Sequence, residues 1–139
     1  IRLGGKMKKK TENKILYILI LFFVIIGGGL YYKYEVYPYD WDAAEKSFEL
    51  YTKAQHIDKD DIESIEKSKQ KKIGGIIYRV KYKSESNKNV VYEYTWCGDY
   101  TGENYYHNMF LMLTNKYGDG LDENKTKHKY PIIQKRIVD

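Results

Sequence analysis

Few side chains in this sequence are of a type and spacing that could do chemistry. Its one cysteine, Cys97, has His107 and His128 downstream, and a cysteine with a histidine base is the minimum of a thiol hydrolase. A transpeptidase of the His–Cys–Arg kind would use His56 and Cys97 in that order, but no arginine lies between Cys97 and Arg136. Asp58, Asp60 and Asp61 suggest calcium. A calcium loop opening at Asp58 would need an oxygen ligand where Ile62 stands and a glycine where Glu63 stands. The three histidines show no H-E-x-x-H or paired spacing, which leaves zinc without a ligand set. Glu93, Asp99 and Glu103 could serve as the carboxylates of glycoside cleavage, yet carboxylates at this density are the ordinary state of a solvated surface. Gly74-Gly75 lacks the third glycine and the helix of a phosphate loop, and reads as a turn into a strand. Asn124-Lys125-Thr126 is a glycosylation sequon only where that machinery exists. The expectation is a chain with no catalytic, cofactor-binding or metal-ligating residue and no small-molecule cofactor. The alternative is a hydrolase that depends on Cys97.

Whatever these residues do is positioned first by an uncharged run, Ile15 to Tyr32, with Lys14 and Lys33 at its ends. As a helix it would be roughly 27 Å long, close to the ~30 Å hydrocarbon core of a bilayer. Residues 15–32 are therefore expected to form a transmembrane helix that makes the lipid bilayer the first partner. Lys8, Lys9, Lys10 and Lys14 precede it against the single Glu12, and lysine-rich flanks stay on the cytoplasmic side. That puts the C-terminal bulk outside the cell membrane. A cleaved signal peptide shares the basic and apolar regions, but the A-x-A type of site is missing and the run is longer than a usual signal core. Gly27, Gly28 and Gly29 are contiguous and give no G-x-x-x-G face; they are expected to loosen the helix near the outer leaflet. Residues 1–6 are read as translated upstream sequence and Met7 as the start, an expectation that the coding DNA would test through a ribosome-binding purine run ahead of the Met7 codon.

Charge sorts the partners. The net charge of +5 resides wholly in the tail of residues 1–14, which holds six basic side chains against Glu12, and the rest of the chain is neutral. A neutral outer part lacks the electrostatic footprint of phosphate-backbone binding, so nucleic acid is not expected. One cysteine cannot form an internal disulfide, so the outer part must hold itself together by its core. From Tyr37 onward the chain is long enough for one small core.

Residues 33–40 form a tyrosine-rich linker. Its aromatics suit the headgroup level of a membrane better than a sugar-stacking surface, and Pro38 should end the spanning helix before Tyr37. Residues 41–139 are expected to form an α+β domain, with one amphipathic helix packed on a small antiparallel sheet of three to four strands. The helix starts at an Asp42 cap with Glu45 three residues on, Asp40 being the alternative cap. It presents Trp41, Ala44, Phe48, Tyr51 and Ala54 on one face, with Leu50 beside them, and ends near Gln55. Alternation in Ile76–Lys83 and Val90–Trp96 predicts a hairpin. The predicted core sets Ala44, Phe48 and Tyr51 against Tyr78, Val80, Tyr92 and Tyr94. Ile62–Lys69 is a strand candidate with a defect, since Ile62 and Ile65 fall on opposite faces. Residues 105–114 suit strand or helix, with a fourth strand preferred, and Tyr130–Ile133 looks extended.

The lysine-rich start, the apolar span ending in Gly-Gly-Gly, the tyrosine-rich exit, YPYDWDAAEKSFELY, GGIIYRVKY, VVYEY and the terminal KYP together resemble domain-of-unknown-function family 3139. This is a group of small membrane-anchored proteins of low-GC Gram-positive bacteria, a source that the Lys-, Ile-, Tyr- and Asn-rich composition also suggests. The resemblance implies an anchored α+β domain and no assigned activity. A helix followed by antiparallel strands is similar at the level of fold to PepSY-like and cystatin-like domains, which bind or inhibit other proteins. The expected function is non-enzymatic: an extracytoplasmic module that binds or modulates another envelope or secreted protein, in an immunity-like or regulatory role, through an edge strand or the aromatic side of the sheet. An accessory subunit held by its span to a membrane complex is the alternative beside the hydrolase.

Overall fold

The computed structural model describes residues 2–36, 39–98, 102 and 104–133, with side chains described from Lys10 onward. The chain divides into two compact units, Ile1–Pro38 and Tyr39–Asp139.

The first unit is the helix α1, Arg2–Tyr31, followed by one π-helical turn over Tyr32–Val36. From Lys10 to Tyr34 every side chain is exposed, and this is one helix long and apolar enough to cross a membrane. The helix differs from the sequence expectation in two respects. Gly27–Gly29 do not interrupt it. The backbone departs from α geometry at Tyr32, so the expected linker of residues 33–40 begins as helix. Tyr37 and Pro38 lie outside the described residues.

The second unit contains α2 (Trp41–Ala54), a 3-10 turn at Lys59–Asp61, and the strands β1 (Ile62–Gln70), β2 (Gly75–Tyr82), β3 (Val91–Trp96) and β4 (Met109–Thr114). The strands form one antiparallel meander in the order β1-β2-β3-β4. This is the α+β architecture expected, with four strands. Asp40 caps α2, its Oδ1 accepting the Ala43 N–H at 3.0 Å; Asp42 sits inside the first turn. The α2 end is marked by His56, which takes a left-handed φ of 59°, the conformation that favours glycine after a helix. His56→Gly is therefore expected to raise the unfolding free energy by about 0.5–1 kcal/mol, measurable as a higher urea midpoint. A histidine required for catalysis would instead lose activity there.

The predicted core forms as expected. Ala44, Phe48 and Tyr51 from α2 and Tyr78, Val80, Tyr92 and Tyr94 from the sheet are all buried, joined by Ile76, Met109, Leu111 and Leu113 and by Tyr130 and Ile133 of the last described segment. The defect in β1 is resolved by a bulge between Ile62 and Ser64. An extra residue there resets the alternation, so Ile62 pairs with Tyr82 and packs against the core while Ile65 pairs with Val80. Of residues 105–114 only the last six are strand. Tyr106 and Met109 exchange two backbone bonds around His107 and Asn108, both at positive φ, which is the geometry of a tight two-residue hairpin turn. At the start of β2 a Cβ on Gly75 would lie 2.5 Å from the Trp96 carbonyl oxygen, so the double glycine is a turn and a close backbone approach.

Candidate functional site

Among the described residues, those that suggest chemistry are not brought together as a catalytic set. Cys97 follows β3, is 5% exposed, and its Sγ lies 3.8 Å from the Ile73 carbonyl oxygen. Its backbone N–H donates to Asn108 O at 2.9 Å. The His107 ring packs edge-on against Tyr106. His128 is hydrogen-bonded through Nδ1 to the Tyr130 carbonyl, in the segment that binds Tyr92 near the far end of β3. Among the described residues no hydrogen bond joins the Cys97 sulfur to a histidine. Asp58 caps the 3-10 turn by accepting the Asp60 N–H. Asp61 accepts the backbone N–H and the hydroxyl of Ser84 and the hydroxyl of Tyr130. These bonds, from Ser84 first and then Tyr130, hold its carboxyl below the usual range. Among the described residues no three His, Cys, Asp or Glu side chains cluster as metal ligands do. Glu93 stands opposite Arg79 across β2 and β3, and burial pushes its carboxyl up against the pull of that arginine. Asp99 and Glu103 lie outside the described residues.

The aromatic side of the sheet, one of the two surfaces expected to meet a partner, is the interior of the domain. This is the core that the spacing predicts, and it removes that face as a surface for a partner: period-two tyrosines are here the signature of a sheet face covered by its own helix. Their hydroxyls are satisfied internally. Tyr94 donates to Gln55 Oε1 at 2.8 Å and lies 2.7 Å from the Tyr82 hydroxyl. Gln55 Nε2 in turn donates to Pro131 O at 2.8 Å. Tyr51 donates to Ile133 O and accepts its N–H. Tyr92 donates to Glu85 and accepts the N–H groups of Lys129 and Tyr130. Burial pushes Tyr51, Tyr82, Tyr92 and Tyr94 well above the ordinary tyrosine value, so all four are neutral donors at physiological pH. The network fastens residues 129–133 across the sheet.

The two edges of the sheet differ. The outer side of β4 is closed by its own chain: Met109 bonds back to Tyr106, and Leu113 O accepts the Leu121 N–H at 2.8 Å. Thr114 bridges to Gly120. Between these closures only Leu111 turns its backbone outward. It does so into a cleft of about 190 Å³ lined by Phe110, Met112, Leu121, Glu123 and Ile132 among others.

The phase of the ladder, set by these bonds, carries across to β1. Tyr92, Tyr94 and Trp96 bond toward β2, which leaves Ile77, Arg79 and Lys81 to bond toward β1. On β1 itself Ser64, Glu66 and Ser68 bond inward, and Ile65 and Lys67 turn N–H and C=O outward. Among the described residues no strand pairs with that side.

No family model, curated protein or solved structure matches the chain. The site therefore rests on its own geometry. On β1, Ile65 is 39% exposed, Lys67 Nζ reaches Glu45 at 3.0 Å, and Lys69 lies over the Tyr39 ring. The sequence signal that locates this edge is the Ile62/Ile65 conflict itself, since bulges are characteristic of sheet edges.

Proposed function

We propose that α1 holds this protein in a membrane as a single-pass anchor with its lysine-rich end cytoplasmic, and that the Tyr39–Asp139 unit is a non-enzymatic module that binds or modulates another envelope or secreted protein by strand addition at β1. The carrying observation is the asymmetry of the sheet: its β4 edge is closed by the chain's own turns, and among the described residues no strand covers its β1 edge. An extended segment laid against β1 would gain main-chain bonds at Ile65 and Lys67 and specificity from the side chains between them. Support for the anchor comes from the length and exposure of α1, and for its orientation from Lys8, Lys9, Lys10 and Lys14. The resemblance of its sequence layout to domain-of-unknown-function family 3139 belongs to the same proposal. A hydrolase using Cys97 draws no support from a buried thiol without a bonded histidine.

The test places a photoreactive amino acid at position 65 or 67 of the full-length protein in its native membrane, with position 53 on the exposed side of α2 as control. Adducts formed from 65 and 67 and not from 53 are expected, and they should persist in Cys97→Ala. Labelling from all three positions alike, or from none, would refute β1 as the interaction surface.

A further inference from the structure

The open edge is also self-complementary, and we propose that its occupant is β1 of a second copy of this chain, paired antiparallel about Ile65. This rests on the reading of β1 as the interaction surface and names the partner. In a two-fold antiparallel pair centred on Ile65, that residue faces Ile65 of the second copy. Glu63 then faces its Lys67, and Lys67 its Glu63. On the opposite face of the sheet Ser64 meets Glu66. Every charged side chain between 63 and 67 is thus set against an opposite charge or a hydroxyl. Centring the pair on Glu66 or on Lys67 instead would set like charges directly opposite at the axis, which is destabilising.

A lysine on an edge strand ordinarily deters pairing; in this register Lys67, which within its own chain bonds Glu45 at 3.0 Å, is what selects the partner. The backbone agrees. Ile65 and Lys67 are the positions whose N–H and C=O point outward, so the two Ile65 residues exchange both bonds across the axis. Ile65, 39% exposed in the single chain, becomes covered by its counterpart. The bulge between Ile62 and Ser64 limits pairing to the stretch from Glu63 onward. That surface alone is small, and confinement of both copies to one membrane by residues 15–32 supplies the effective concentration it needs.

The test uses the full-length protein in membranes with Cys97→Ala as background. Single cysteines are placed by Ile65→Cys, Glu66→Cys, Lys67→Cys and, as an exposed control, Lys53→Cys, and oxidised mildly. In the proposed register the two Ile65 Cα atoms lie about 5.5 Å apart, within disulfide range, so Ile65→Cys should give the dominant covalent dimer. Adding Glu63→Lys should lower that yield about fivefold, and adding Lys67→Glu to the same chain should restore it, because the pair is then reversed and not removed. Dominant cross-linking from Glu66→Cys or Lys67→Cys would overturn the register. Ile65→Cys no better than Lys53→Cys would overturn the second copy as occupant. In that last case a photoreactive group at position 65 that still labels another polypeptide would leave β1 as the interaction surface, whereas labelling of nothing would remove both proposals.

Discussion

Phe48→Ala should destabilise the C-terminal unit by about 3–5 kcal/mol, a large share of the ~5–15 kcal/mol that holds a domain of this size. The Phe48 ring stacks on Tyr78 with centroids 4.9 Å apart and meets Tyr94 edge-on at 5.1 Å. It is the one large hydrocarbon side chain that α2 places over the centre of β2 and β3. Its loss opens a cavity against two tyrosines whose other contacts are fixed by hydroxyl bonds, so the walls cannot collapse to fill it. Tyr94 is the critical neighbour, because it is fully buried and bonded to Gln55 and Tyr82. Phe48→Leu, which keeps most of the volume, should cost less than half as much. Urea unfolding followed by tryptophan fluorescence measures both. A loss below about 1 kcal/mol for Phe48→Ala would mean that α2 is not seated on the sheet, and with it would go the assignment of the aromatic face to the interior.

What could be read from the sequence followed the strength of the periodic signal. The apolar run of α1, the one-faced α2 and the alternation of β2 and β3 fix element type and inward face without tertiary information. Spacing alone accordingly places Phe48, Tyr51, Tyr78 and Tyr94 in the core, where they lie. Three features were not legible. The bulge at Ile62–Ser64 is invisible in the pattern except as a fault in it. The boundary of β4 depends on a turn at His107-Asn108 that lacks the glycine normally marking one. The roles of Gln55, Glu85 and Asp61 rest on partners tens of residues away, Gln55 with Pro131 and Glu85 with Lys129, which no local window contains. The candidate site belongs to this last class. An open edge is a statement about which strand lies last in the sheet, and strand order is a tertiary fact.

Glu85→Ala should cost about 3 kcal/mol at neutral pH and should make the unit's acid sensitivity smaller. Glu85 is 3% exposed and has no cationic partner within ion-pair distance among the described residues. Its carboxylate is held by the Tyr92 hydroxyl and by the N–H groups of Lys129 and Asn87. Burial pushes the carboxyl up; these hydrogen bonds outweigh it and leave the group below its ordinary value. Bonds to a charged acceptor contribute about 1.5–3 kcal/mol each, and removing it leaves the Tyr92 O–H buried without its acceptor. Because the folded value lies below the unfolded one, the contribution is complete above the unfolded carboxylate value of about 4.3. It is lost as pH falls through the folded value. Asp61, also held low, adds to the same window, so the wild-type unit should weaken progressively below about pH 4.5. The variant should follow a shallower slope, leaving Asp61 as the main remaining term. Thermal unfolding at pH 7, 5 and 3.5 separates the cases. Parallel pH profiles for wild type and Glu85→Ala would contradict the network. Such a result would also release residues 129–133 from the sheet, since those residues are fastened at Lys129 and Tyr130 by this same carboxylate and the tyrosine it orients.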